Sequence, residues 1–143
     1  MEFDPGNPVI RLCADGMMLE GEGKQEEAAK LFNRAWEQAA DDFEKFTAAH
    51  YVARHQDSVA GKLQWDETAL GHAQKVDDEN MKATYPSLYL NIAKGYEDLG
   101  DSANALKNYE LAKEFSAFLA DDGYGNMIRA GIGNGINRVS KFL

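Results

Sequence analysis

The segment that decides the fold runs from Tyr89 to Ala112 and reads YLNIAKGYEDLGDSANALKNYELA. On both sides of Leu99-Gly100-Asp101, apolar residues recur every three or four positions, which is the spacing of an amphipathic helix. A glycine between two such stretches permits a tight turn, because it adopts backbone conformations that other residues avoid. The segment therefore predicts two helices joined by a short turn.

Two earlier segments, residues 22–24 and 60–62, predict similar turns. Gly23 and Gly61 are 38 residues apart, and Gly61 and Gly100 are 39 apart. Positions counted from these glycines carry related residues. Twelve positions later the residues are Ala35, Ala73 and Ala112, and nine positions later they are Phe32, Leu70 and Tyr109. Small residues where helices approach, and large ones where a gap is filled, are typical of stacked helical hairpins.

On these residues the chain resembles the tetratricopeptide repeat (TPR) family. The match is close between Tyr89 and Ala112 and poor in the middle repeat, where Asp57 and Asp66 stand at normally apolar or small positions. The resemblance covers residues 8–119, and the period exceeds the family's usual length of about 34 residues. It implies an all-α fold, a right-handed α-solenoid of stacked antiparallel helix hairpins with about seven helices.

The resemblance also implies the domain organisation. We expect a single TPR-like domain over residues 1–143, with repeats at approximately 8–40, 42–76 and 85–119 and a capping helix at 123–142. This last helix resembles the first helix of a fourth repeat whose partner helix is missing. The alternative is an irregular helical bundle in which the repeat arises by chance.

Charge and composition disfavour several function classes. The chain has 24 acidic and 15 basic residues, so its net charge of −9 disfavours binding to nucleic acid or to an anionic membrane. Residues 123–143, by contrast, contain three basic residues and no acid. The sequence lacks an apolar run of about 18 residues, a secretory signal and a second cysteine, so we expect a cytoplasmic protein.

Motifs for catalysis, metals or cofactors are not recognisable. His50 and His55 are five positions apart, which does not place both rings on one face of a helix. Residues 131–135 are glycine-rich, but no strand precedes them, which favours a closely packed helix over a phosphate-binding loop. The acidic residues 77–79 lack the spacing of a calcium loop. We therefore expect a protein that is not an enzyme and that needs no metal or cofactor.

The TPR resemblance implies protein binding. Most members bind another protein, commonly an extended peptide, in a concave groove lined by the first helix of each repeat. One subtype clamps chaperone tails with lysine and asparagine, and that clamp is absent here. The resemblance places nine residues in the groove: Cys13, Met17, Glu20, Tyr51, His55, Leu90, Lys94, Glu97 and Arg129.

Within that set, Met17, Tyr51 and Leu90 would provide an apolar floor, and His55 and Lys94 would provide hydrogen-bond donors. The alternative for Met17 and Tyr51 is packing between helices.

Two other functions are left open by the sequence. A self-associating structural module would pair the acidic body of one copy with the basic last helix of another, which makes a homo-oligomer the second hypothesis. An enzyme or small-molecule binder would need titratable groups that converge in a deep pocket, and no spacing in the sequence indicates one. The protein-binding scaffold is the leading hypothesis, with a partner that the sequence does not identify.

Overall fold

A computed structural model describes residue 4 and residues 6–143 of this chain. There are no strands in this part of the chain, and the prediction of an all-α fold with about seven helices is confirmed. Two short 3₁₀ segments, Glu79–Thr84 and Ser116–Phe118, lie between helices. The α-helices are α1 (Pro8–Gly21), α2 (Gln25–Gln38), α3 (Asp42–Ala53), α4 (Val59–Ala73), α5 (Tyr85–Asp98), α6 (Ser102–Phe115) and α7 (Gly123–Ser140).

Polar side chains cap the N-termini of α1, α3, α4, α6 and α7. Asn7 accepts hydrogen bonds from the N–H groups that open α1. At the start of α3 the Asp41 carboxylate accepts from the N–H of Glu44 at 2.8 Å, and the Glu44 carboxylate accepts from the N–H of Ala40 at 2.9 Å. Each bond satisfies a backbone donor that the helix itself leaves unpaired. The side chains of Asp41 and Glu44 therefore cap the start of α3 together.

The chain divides into two compact units, Met1–Asp77 and Asp78–Leu143. In the first unit, α1 pairs with α2 and α3 pairs with α4, and α3 also packs against α1 and α2. In the second unit, α5 pairs with α6, and α7 packs against both. Each unit thus contains a helical hairpin followed by a further helix that lies against it.

The hairpins α1–α2 and α5–α6 have the same backbone plan. All four helices have 14 residues, and the starts of α1 and α5, Pro8 and Tyr85, are 77 positions apart. Each hairpin turns at a glycine with φ of 80°, Gly23 in one and Gly100 in the other, a conformation that favours glycine. The predicted turns at these two glycines are confirmed.

Equivalent positions of the two hairpins are buried in the interior of each unit. An alanine, an aromatic residue and a second alanine follow each turn glycine by five, nine and twelve positions, and all six are fully buried. The pairs are Ala28 with Ala105, Phe32 with Tyr109, and Ala35 with Ala112. Such complete burial explains why small residues recur between large ones, because the interior leaves no room for a longer side chain.

The predicted turn at residues 60–62 is wrong. α3 ends at Ala53, and α4 begins at Val59 after the cap residue Ser58. Ser58 Oγ accepts a hydrogen bond from the N–H of Gly61 at 3.0 Å, which places Gly61 in the first turn of α4. A Cβ on Gly61 would approach the Ser58 hydroxyl to 2.9 Å, so the glycine leaves space for the cap. The alignment of the middle repeat on Gly61 is therefore out of register.

Candidate functional site

The first unit brings two of the predicted groove residues, Glu20 and His55, into contact. His55 Nε2 lies 2.7 Å from Glu20 Oε2, and Arg54 donates from a guanidinium NH₂ to Glu20 Oε1 at 2.9 Å. Glu20 lies in the last turn of α1, while Arg54 and His55 follow α3. This charged cluster therefore joins the ends of two helices that are distant in sequence.

Tyr51 lies one turn before His55 and packs against the interior. Its ring stacks on Phe32 with centroids 5.0 Å apart, and the Arg54 guanidinium lies over it at 5.2 Å. Burial raises the pKa of Tyr51. Tyr51 is only partly buried, so one part of the ring supports the fold and the rest is accessible.

Cys13 and Met17 lie one turn apart on α1 in different surroundings. Cys13 has 0% exposure and packs with Val9, Ala35 and Ala48, and burial raises its pKa to about 12. It offers no surface to a partner. Met17 is 42% exposed and leaves an apolar side chain at the surface.

In the second unit, Glu97 binds α7. Its carboxylate accepts hydrogen bonds from Arg138 Nε at 2.8 Å and from the Tyr109 hydroxyl at 2.6 Å. The Arg138 hydrogen bond, aided by Tyr109, holds the pKa of Glu97 below its usual range. Burial, and then the bond to Glu97, raises the pKa of the Tyr109 hydroxyl. Glu97 therefore links α5, α6 and α7.

Glu20 and Glu97 occupy equivalent places, 77 positions apart, in the last turn of the first helix of each hairpin. Each glutamate forms an ion pair with an arginine near the end of the helix that packs against its hairpin. Glu20 binds Arg54, which follows α3, and Glu97 binds Arg138 of α7. Both glutamates were among the predicted groove residues, and neither arginine was. The signal that could have found them is a cation at the end of the helix that follows each hairpin.

The other two predicted residues on α5 have local roles. Leu90 is partly buried and packs against a cluster that includes Ala93, Tyr109 and Val139. Lys94 forms an ion pair with Asp98, one turn later on the same helix. Both Lys94 and Asp98 are substantially exposed, so this pair lies at the surface of α5.

Arg129 stabilises the connection between α6 and α7. Its guanidinium donates to the carbonyl oxygens of Leu119 at 2.9 Å, Ser116 at 3.2 Å and Ala120 at 3.2 Å. These carbonyls follow the end of α6, where backbone acceptors lack helical partners. Arg129 therefore supports a loop as well as contributing a positive charge to the surface.

His50 and Asp66 also have shifted pKa values, and they lie outside the predicted groove residues. Burial, with the nearby charges of Arg54 and Lys62, lowers the pKa of His50 to about 4. Burial raises the pKa of Asp66, whose carboxylate accepts a hydrogen bond from Lys62 at 2.6 Å. Among residue 4 and residues 6–143, no three His, Cys, Asp or Glu side chains are grouped so that they could hold a metal ion.

A pocket lies in the second unit between the end of α6 and one face of α7. Its volume is about 340 Å³. Isoleucine side chains and a glycine form its apolar part, and two cations and two neutral polar residues complete it. The lining residues are Lys113, Ser116, Arg129, Ile132, Gly133, Ile136 and Asn137. Only Arg129 was among the residues that the sequence placed at a binding site.

Comparisons with family models, with curated proteins and with solved structures found no match to this chain. The TPR resemblance accordingly rests on the residues of the chain itself. No helix formed by the described residues is long and apolar enough to cross a lipid bilayer.

Proposed function

We propose that this chain is a TPR-like protein-interaction module that binds an extended segment of another protein without catalysing a reaction. The observation that carries the proposal is the repetition of one hairpin plan in α1–α2 and α5–α6, with the same helix lengths and turn glycines. Proteins built from such repeats use the face of successive helices as a binding surface. The resemblance further implies the right-handed solenoid of that family.

In the first unit, the binding surface that we propose is the α1–α3 face. Met17 provides an exposed apolar contact, and Tyr51 adds aromatic area at a low cost in conformational entropy. The cluster of Glu20, Arg54 and His55 lies one turn further along both helices. This arrangement suits a peptide that places an apolar side chain next to polar or charged ones.

In the second unit, the exposed side of α5 is the corresponding surface. Lys94 and Asp98 lie there as an ion pair that a bound peptide can compete with, because exposed pairs contribute little to stability. Leu90 is partly buried beside them and limits how much apolar area this face offers.

The test is selection from a displayed library of peptides, with free and with blocked C-termini, on the wild-type protein and two variants. Met17→Glu places a charge on the proposed face, whereas Met18→Glu makes the same change at a neighbouring position that is 69% exposed. We expect peptides selected by the wild type to bind the Met18→Glu variant and not to bind the Met17→Glu variant. Equal binding to both variants, with unchanged circular dichroism, would exclude the α1–α3 face.

The second candidate function is self-association of the acidic body with the basic last helix. It is supported by Arg129 and Lys141, which form no ion pair with any residue that the structure describes. Such an assembly would dissociate as salt is added, because ions screen contacts between exposed charges. Sedimentation velocity at low and high ionic strength tests this: a monomer at both rejects self-association.

A further inference from the structure

The helix α7 occupies the same place in the second unit that α3 occupies in the first. α3 packs against the α1–α2 hairpin, and α7 packs against the α5–α6 hairpin. α3 is itself paired with α4, whereas α7 has no hairpin partner among the described residues. The first unit therefore shows what a helix in the position of α7 looks like when a second helix covers it.

Two independent contacts fix the register between α3 and α7. Arg54 and Arg138 both bind the glutamate of the hairpin, and they are 84 positions apart. In the first unit Tyr51 of α3 stacks on Phe32 of the hairpin. In the second unit Gly135 of α7, 84 positions after Tyr51, lies so close to Tyr109 that an added Cβ would overlap the Tyr109 ring. Because Phe32 and Tyr109 are themselves equivalent, both contacts give the same offset.

With this offset, buried residues of α3 correspond to residues that line the pocket on α7. Ala49, Val52 and Ala53 are at most 3% exposed in the first unit, where α4 lies against α3. Their counterparts on α7 are Gly133, Ile136 and Asn137, and all three line the 340 Å³ pocket. Of these, Gly133 and Asn137 are exposed. The pocket thus coincides with a surface that is covered in the equivalent helix.

The spacing of the lining residues on α7 suits contact with another helix. They lie at positions 129, 132, 133, 136 and 137, which is the pattern of one helix face. Gly133 lies within this face, and an added Cβ there would meet no atom within 4 Å. The packing of this chain therefore does not require a glycine at position 133. A second helix whose backbone approaches this face closely would require one.

The charge around the pocket selects the kind of helix. Lys113 and Arg129 line it, and neither forms an ion pair with a described residue. The acceptors that Arg129 contacts after α6 are backbone carbonyls, so no carboxylate of the described residues neutralises its charge. Residues 123–143 contain no acid, so two α7 helices from two copies would bring like charges together.

We propose that the groove between α6 and α7 is a docking site for an amphipathic helix of another protein, with small and aliphatic residues along its contact face and acidic residues beside it. The helix α4 is an internal example of such a contact face, since Leu63, Ala69 and Ala73 are among its buried residues. Helix-in-groove binding of this kind uses a surface distinct from the α1–α3 face of the proposed function.

The experiment uses a phage-displayed library of helical peptides with Leu or Ala fixed at every third and fourth position and the other positions randomised. We expect the wild-type protein to select acidic peptides. Gly133→Leu fills the groove and should weaken the best peptide by roughly tenfold or more in fluorescence anisotropy. Asn134→Leu adds the same side chain at the adjacent exposed position, outside the pocket lining, and should leave the affinity unchanged.

A charge pair of variants separates this site from non-specific attraction. Lys113→Glu should weaken the selected peptide, whereas Lys107→Glu, at an exposed position of the same helix outside the pocket lining, should not. Met17→Glu should retain helix binding, which keeps this proposal distinguishable from the proposed function.

Three results would overturn the proposal: no enrichment of acidic helices, equal loss with Gly133→Leu and Asn134→Leu, or equal loss with both lysine variants. A wild-type oligomer in sedimentation velocity that Gly133→Leu dissociates would assign the groove to a second copy instead. Circular dichroism of each variant checks that a loss of binding reflects the groove and not the fold.

Discussion

Arg138 and Glu97 form a two-point ion pair that fastens the last helix to the hairpin before it. Arg138 Nε and one guanidinium NH₂ lie 2.8 and 3.1 Å from the two carboxylate oxygens of Glu97, and the buried Tyr109 donates its hydroxyl to the same carboxylate. Bonds that involve two charged groups are stronger than neutral ones and fix the geometry more tightly. Stability of the second unit should therefore depend on the ionisation of Glu97.

Glu97→Gln should lower the free energy of unfolding by about 1–2 kcal/mol at neutral pH, since it removes the charge while keeping the shape. The pKa of Glu97 is lowered in the folded state, so its contribution is present above the usual value of 4.5 and is lost as pH falls through the lower folded pKa. Urea unfolding at neutral pH and well below pH 4.5 should show the difference between variant and wild type shrinking. Glu110→Gln, at an exposed position of α6, is the matched control and should change little at either pH.

His50 should make the first unit sensitive to mild acid. Its pKa is lowered to about 4 in the folded state from a usual value of 6.5, so the unfolded chain binds a proton more readily between these values. Stability is therefore retained above pH 6.5 and falls by about 2–3 kcal/mol as pH decreases to 4. Removing the titrating group with His50→Leu should flatten this part of the pH profile, measured by urea unfolding. An unchanged slope in that variant would show that another group is responsible.

The hairpin plan could be predicted from sequence because its signals are local. Gly23 and Gly100 end helices at positive φ, and the alanines twelve positions later are buried as the repeat predicts. Gly61 also predicted a turn, but it lies inside α4, where the absence of a side chain leaves space for the Ser58 cap. A glycine that turns the chain and a glycine that admits a neighbour are indistinguishable in a single sequence.

The site was less predictable because its contacts are long-range. Glu97 and Arg138 are 41 positions apart, and no spacing rule connects them before α7 is placed on its hairpin. Helical spacing predicted that Glu20 and His55 are accessible, but His55 follows the end of α3, and its 2.7 Å contact with Glu20 depends on how α1 packs against α3. The TPR resemblance placed Arg129 in the groove, whereas its hydrogen bonds to the unpaired carbonyls after α6 depend on how α7 packs against α6.

The buried alanines should not tolerate larger side chains. Ala35, Ala73 and Ala112 each have 0% exposure, so replacement by leucine should overpack a helix junction and cost about 1–3 kcal/mol. Urea unfolding of the three single variants measures this cost. Ala103→Leu, at an exposed position of α6, is the control and should stay within about 0.5 kcal/mol of the wild type. If all three buried substitutions were neutral, these positions would not be close helix contacts.

Two glycines of α7 should respond in opposite directions to the same substitution. A Cβ on Gly135 would overlap the ring of the fully buried Tyr109, so Gly135→Ala should destabilise the protein by about 1–3 kcal/mol. A Cβ on Gly133 would meet open space, so Gly133→Ala should stabilise it by about 0.4–1 kcal/mol through helix propensity. Thermal and urea unfolding of the two variants measure both effects, and the substitution is glycine to alanine in each case. Stabilisation by both substitutions would mean that α7 does not pack closely on Tyr109, and the register between α3 and α7 would then lose one of its two supports.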